Sequence, residues 1–376
     1  MRHDIVIEDT TLRDGEQAPG VAFSERTKLT ILDALIDAGV SWIEVGIPAM
    51  GGTEYRALAA MIERQHEAML IAWNRGSRDD VCQSLSMGFK GVHIGLPTSP
   101  IHIADSIGKS LDWVFRTAAD LVREAKDAGA FVSISAEDVG RSSLSVLADY
   151  AGTVYQAGAD RLRLSDTIGI LDPASYAERV RAVVEACPID VQCHTHNDFG
   201  LGVANTLAGL QAGARYFHAT INGMGERAGM PDLAQTVMAL KILHGVDLGV
   251  RPEKLRGLAA IVAHASGHAP MPWSPVVGDN VFAHESGIHV NATLKNSGTF
   301  EPFPPEQLGE CRRIVIGKHS GRAAVRHKLA EQGITVTDDV ELEHCLALVR
   351  EEAATRGGAL TPSELAGLMN RVKGNR

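Results

Sequence analysis

The sequence lacks what would mark a secreted, membrane-bound or metal-stapled chain. Cysteine is scarce: Cys82, Cys187, Cys193, Cys311 and Cys345 form an odd, scattered set with no CxxC pair. Such a set argues against a disulfide framework and against a structural zinc site, and predicts buried reduced thiols. Apolar runs are short, and none approaches the roughly 18 residues that a membrane span needs. The opening MRHDIVIEDTTLRDGEQ has no apolar signal-peptide core, so the chain reads as cytoplasmic. Positive charge is in deficit, with 36 Lys and Arg against 46 Asp and Glu and a formal net charge of -10. That balance disfavours nucleic acid and anionic membranes as partners. An anionic small molecule stays open, because a basic pocket fits inside an acidic protein. Repeats, low-complexity tracts and long linkers are absent, and no GxGxxG follows the first strand.

What is present is a long alternating pattern. With 376 residues, 45% of them hydrophobic, the chain can bury a (β/α)8 barrel of roughly 250 residues plus an appendage. β-type runs fall at 5–8, 42–47, 69–74, 91–96, 131–136, 161–165, 190–193 and 216–221, with helical segments between them such as 25–37, 110–127, 143–156, 173–186 and 202–212. Several helices end in Ala-Gly (38–39, 128–129, 157–158 and 212–213), a stop where glycine takes the left-handed conformation at little cost. About eight strand–helix units predict an α/β fold, a parallel TIM barrel. After about residue 250 the pattern changes. Residues 255–264 read as helix, 268–303 are rich in Pro, Gly, Ser and His, and 306–309, 321–332, 340–355 and 361–372 suggest a smaller α or α+β region. Thr361-Pro362-Ser363-Glu364 has the form of a helix start. Two domains are therefore expected, a catalytic barrel over 1–250 and a C-terminal region over 251–376.

A TIM barrel gathers its active site at the C-terminal ends of its strands. The polar residues there are Arg13 and Asp14 after strand one, Glu44 in strand two, Asn74 and Arg75 after strand three, and Glu137 and Asp138 with nearby Arg141 after strand five. Asp166 and Thr167 follow strand six, His194 and His196 close strand seven, and Glu226 and Arg227 follow strand eight. Residues i and i+2 of a strand share a face, so both imidazoles can face the barrel mouth and bind one divalent cation. Asp14 would add an oxygen ligand and leave positions open for substrate and water. The plainer reading of a lone HxH is two half-buried histidines without metal. Arg13 beside such a site suits a developing oxyanion, although it could equally be structural. The glycine-rich stretch 222–229 lies where barrels often hold phosphate, and a plain loop fits it as well.

Asp9-Thr-Thr-Leu-Arg-Asp-Gly-Glu-Gln17, His194 and His196 followed by Asn197-Asp198, and the stretch 222–229 together resemble the DRE-TIM metallolyase superfamily. Within it they resemble the 2-isopropylmalate, homocitrate and citramalate synthase branch. The likeness extends to 282–290 and 317–321, and segments 70–75 and 273–278 are similar to the short homocitrate synthases associated with nitrogen fixation. The resemblance implies condensation of acetyl-CoA with a 2-oxo acid, 2-oxoglutarate first, to give homocitrate in a homodimer. It further implies a divalent cation (Mg, Mn or Zn) on Asp14, His194 and His196, with Arg13 polarising the keto group and Gln17 and Thr167 binding substrate. Glu137 and His289, the latter from a partner subunit, would be the acid–base groups. Arg75 and Arg141 are expected to meet the distal carboxylate, or else to be outer salt-bridge residues. Three departures from the family pattern stand out: Met230 where Asn is usual, Phe300 where Tyr is usual, and Asp105-Ser106 where many relatives carry His-Lys. A thioether is a poor ligand for a hard cation. The competing readings are a synthase for 2-oxoisovalerate, pyruvate, oxaloacetate or a phosphonate-bearing oxo acid, a retro-aldol lyase of the superfamily, and a catalytically silent binding barrel.

Overall fold

The structure, a computed structural model, describes residues 1–374. Eight strands, β1 (Val6–Asp9), β2 (Trp42–Gly46), β3 (Met69–Arg75), β4 (Gly91–Gly95), β5 (Phe131–Glu137), β6 (Arg161–Asp166), β7 (Asp190–Thr195) and β8 (Tyr216–Ala219), close into a parallel barrel in chain order. Val6 pairs with Tyr216 and Asp9 with Ala219 where the last strand meets the first. The helices α1 (Glu25–Asp37), α2 (Gly52–Met61), α3 (Arg78–Ser86), α4 (Leu111–Asp127), α5 (Leu144–Gln156), α6 (Pro173–Ala186), α7 (Gly202–Gln211) and α8 (Leu233–His244) follow the strands in turn. The expected TIM barrel is what forms. Its local punctuation follows from residue type. Ser24, Ser110 and Ser143 each cap a helix by accepting the N–H three residues on. Gly39, Gly129, Gly158 and Gly213 all take positive φ at the expected stops.

Strand alternation divides the side chains into two sets. On β6, Leu162 and Leu164 are buried among the apolar core while Arg161 and Arg163 join a polar interior. That interior is an ion network rather than the usual packing of branched aliphatics. Arg161 donates to Glu8 at 2.7 Å, and its guanidinium lies 4.8 Å from the Tyr216 ring, 5.4 Å from Phe131 and 5.7 Å from Trp42. Arg163 donates to Glu44 and, at 2.8 Å, to Gln192. Removing one member would strand the rest in a dry interior, a loss of about 3–5 kcal/mol.

The first compact unit runs to Pro270 rather than to 250, because α9 (Leu255–Ser266) packs against α1 and belongs with the barrel's outer layer. The second begins at Met271. It holds two short parallel strands, β9 (Ala283–His284) and β10 (Arg313–Ile314), with α10 (Gly287–Thr293), α11 (Arg322–Ala330), α12 (Asp339–Arg356) and α13 (Pro362–Gly374). Val325, Leu329, Leu346, Val349, Leu365 and Met369 are among its core. Thr361 and Glu364 exchange bonds at the start of α13, Glu364 accepting the Thr361 N–H at 2.7 Å, as the sequence pattern predicts. No helix among the described residues is long and apolar enough to cross a membrane.

Candidate active site

Alternation along β7 turns His194 and His196 the same way, with ring centroids 5.2 Å apart. Asp14, just past β1, brings its Oδ2 to 3.6 Å from His194 Nε2. One ligand atom from each of the three lies within 4.8 Å of the others, and all three residues are buried. Burial holds both imidazoles below the usual histidine range, His194 well below it. They are neutral near pH 7 and keep a lone pair for a metal. Asp14 Oδ1 is buried without a hydrogen-bond partner, an orphaned acceptor of the kind a cation satisfies. Gly225 comes so close that a Cβ there would sit 2.9 Å from that oxygen. Two imidazole nitrogens and a carboxylate oxygen, open on one side, fit a catalytic divalent cation.

The three residues border a cleft of about 190 Å³ lined by charged and polar residues and by Trp73. Arg13 is fixed there by its bonds to Glu44, to Asp14 at 3.0 Å and to Gln17 at 3.1 Å, and it lies 5.8 Å from the Trp73 ring centre. Glu44 is held well below the usual carboxylate range: burial alone would raise it, but Arg13 and Arg163 outweigh that. Glu137 goes the other way. Burial raises its pKa, and Arg13 and His102 offset the rise only in part. Thr167 lines the cleft while its Oγ accepts the Asp138 N–H at 2.8 Å. His93 shares a 2.9 Å hydrogen bond between its Nδ1 and Ser133, and its buried Nε2 has no partner.

Residues 4–262 match the HMGL-like family, and residues 276–357 match a region described as homocitrate synthase post-HMGL domain-like. The chain belongs to the HMGL-like family. It is 58% identical over 372 residues to a 2-phosphonomethylmalate synthase of Streptomyces rubellomurinus, covering 99% of this chain and 100% of that one. It is 43% identical over 372 residues to homocitrate synthase 1 of Nostoc sp., covering 99% and 98%. Among solved structures, HMG-CoA lyase of Bacillus subtilis matches with a TM-score of 0.65 at 20% identity, over 73% of this chain and 97% of that one. At that identity the likeness shows the fold. The HMGL-like family uses a divalent metal, and the cluster of Asp14, His194 and His196 fits one.

Of the residues expected from sequence, Arg13, Asp14, Gln17, Glu137, Thr167, His194 and His196 all border this one cleft, together with Glu226 and Arg227. Arg75 does not. It ends β3 with its side chain 67% exposed, and it donates twice to Asp80, at 2.7 and 2.8 Å, beside the first turn of α3. Arg141 is likewise engaged outside the cleft, with Asp138 at 2.8 Å and His102 at 3.2 Å. Both pairings match the outer salt-bridge alternative, and neither arginine is among the residues lining the cleft. His289 lies in the second unit on α10, exposed and stacked on Phe300 at 3.9 Å. Met230 is buried, its N–H bonded to Gly223 O at 3.0 Å, and it is not among the residues lining the cleft. The glycine-rich loop folds on itself: a Cβ on Gly229 would fall 1.9 Å from Gly223 O. Inspecting strand ends alone missed Glu8, Trp73, His93, Arg163 and His218. Period-two alternation carried back down each strand would have found them.

Proposed function

We propose that the chain is an acyltransferase that condenses acetyl-CoA with a 2-oxo acid carrying a distal anionic group. The observation that carries this is one small polar cleft holding a two-histidine, one-aspartate cluster, a pinned arginine and a carboxyl group of raised pKa. Asp14, His194 and His196 would hold the divalent cation, which when bound polarises a carbonyl oxygen. Arg13, locked by Glu44 and Asp14, offers its guanidinium to the keto oxygen as negative charge develops there. Glu137 takes a proton from the acetyl methyl group. The methyl carbon then bonds to the keto carbon, the keto oxygen becomes a hydroxyl, and water cleaves the thioester to release the thiol of CoA. Thr167 and Gln17 orient the oxo acid.

The residues at the cleft are charged or polar apart from Trp73, which favours a 2-oxo acid with an anionic tail over one with a branched apolar side chain. 2-Phosphonomethylmalate disconnects at its acetyl-derived carbon into an acetyl unit and 3-phosphonopyruvate, and the relative named for that product matches end to end. 2-Oxoglutarate, leading to homocitrate, is the second substrate, supported by the Nostoc relative. Among groups at the cleft itself, the unpartnered His93 Nε2 is a candidate to meet the distal anion. Thiol release should be measured with 3-phosphonopyruvate, 2-oxoglutarate, oxaloacetate, pyruvate and 2-oxoisovalerate. The highest kcat/KM is expected for 3-phosphonopyruvate. A preference for pyruvate or 2-oxoisovalerate would remove the distal anion and leave the condensation standing, whereas no release with any of them would remove both.

His289 enters this reading as a second acid–base group, contributed as His289 of the partner subunit in a homodimer. Mixing inactive His289→Ala chains with inactive Asp14→Ala chains should then restore part of the activity. No recovery after verified subunit exchange would count against a shared site.

A further inference from the structure

Below the cluster, three buried groups form an unbroken chain. His194 Nδ1 lies 2.8 Å from His218 Nδ1, and His218 Nε2 lies 2.8 Å from Glu8 Oε1. Glu8 and His218 are wholly inaccessible and His194 is nearly so. We propose that Glu8 and His218 are positioning residues that lock His194 in the one tautomer whose Nε2 lone pair faces Asp14 and the cation. The proposal rests on the metal-dependent reading above and deepens it.

The proton count forces this arrangement. Glu8 receives Arg161 at 2.7 Å on one oxygen and Arg163 at 3.4 Å on the other, so it is a carboxylate and can only accept. A contact of 2.8 Å between that carboxylate and His218 Nε2 needs a proton on Nε2. With the Nε2 lone pair of His194 given to the cation, as the metal-dependent reading requires, the one ring proton of His194 sits on Nδ1 and His218 Nδ1 accepts it. The 2.8 Å contact between the two Nδ1 atoms needs one proton, and His194 has to supply it. His194 therefore carries its hydrogen on Nδ1 and presents a bare Nε2 at 3.6 Å from Asp14 Oδ2. The competing contact is Arg163 NH2 to His218 Nε2 at 3.2 Å. It is longer, and if Nε2 accepted it, the 2.8 Å contact with the Glu8 carboxylate would have no proton between two acceptors.

In water a free imidazole favours the opposite tautomer, with hydrogen on Nε2. The buried pair would reverse that preference and raise the basicity of the ligating nitrogen, as groups behind metal-bound histidines do. Glu8, Glu44 and His218 also offer three ligand atoms within 4.8 Å of one another. The guanidinium groups of Arg161 and Arg163 already hold both carboxylates, so this second cluster supports the first instead of binding a cation itself.

Two measurements test this. Zinc affinity, read by competition with a chromogenic chelator, should fall about 10–100-fold in His218→Phe. His218→Asn, whose amide oxygen can stand where Nδ1 was, should recover part of the loss. A folded His218→Phe protein that binds zinc as tightly as wild type would overturn the proposal, and so would an equal loss in both variants. Nitrogen-15 histidine spectra of metal-free wild type need no variant to fold. His194 should carry its proton on Nδ1, and a proton on Nε2 overturns the proposal. If wild type binds no divalent metal at all, the metal-dependent reading fails instead, which sets the two failures apart.

Discussion

His196→Ala is expected to strip the protein of its divalent metal and abolish thiol release, while leaving its metal-free thermal midpoint almost unchanged. The first half follows from the cluster: with His196 gone, only Asp14 and His194 remain of the three groups that converge within 4.8 Å. The second half follows from the hydrogen-bond map. His196 Nδ1 is buried without a partner, so truncation removes a side chain that the ion network of the barrel does not use. A buried polar atom with no partner costs the fold about 1–3 kcal/mol, which offsets part of the packing lost. His194→Ala is a useful contrast, because it also breaks the bond to His218 and should lower the midpoint as well. Metal content by elemental analysis, with melting by circular dichroism in chelator, reads both halves. Full metal content and turnover in His196→Ala would remove this residue from the site.

How far the sequence disclosed this arrangement depends on which layer of the barrel is considered. The strand–helix alternation, the Ala-Gly stops and the HxH pair are local patterns, and local patterns survive in a one-dimensional reading. Arg75 and Arg141 show where that reading runs out. Both lie at strand ends on the expected face, yet a partner five residues along, Asp80, holds the first and one three residues back, Asp138, holds the second. A short-range carboxylate engages each arginine here, and only the φ/ψ path of the turn decides whether it can. Asp138 itself sits at φ 61°, a conformation that its position in the sequence does not announce. Glu8 and His218 lie 210 residues apart, and closure of β8 on β1 is what makes them neighbours. Met230 looked like a lost ligand from sequence. In the structure it is a core residue packed near Gly225, so the loop's glycine, and not its methionine, meets Asp14.

Glu137→Gln carries the second large effect, and it should pull activity and stability in opposite directions. Removing a positioned base is expected to lower kcat by about 10²–10⁴. The KM of the oxo acid should move little, because Glu137 is assigned to the acetyl methyl group. The pH dependence separates this from simple misfolding. Wild-type kcat/KM should fall on the acid side as Glu137 becomes protonated, at a pH above the ordinary glutamate range because burial raises its pKa. The glutamine variant should lose that limb. Stability runs the other way. A carboxyl whose folded pKa exceeds its unfolded one binds more protons when folded, so the folded state loses stability as pH rises from the unfolded value through the folded one. Above that window the wild type buries a carboxylate at a cost that glutamine avoids. The variant should therefore melt higher at neutral pH, and the gap should close on acidification toward the ordinary glutamate value of 4.5. A Glu137→Gln protein with wild-type kcat, or one that melts lower at neutral pH while keeping the acid limb, would show that Glu137 is not the base.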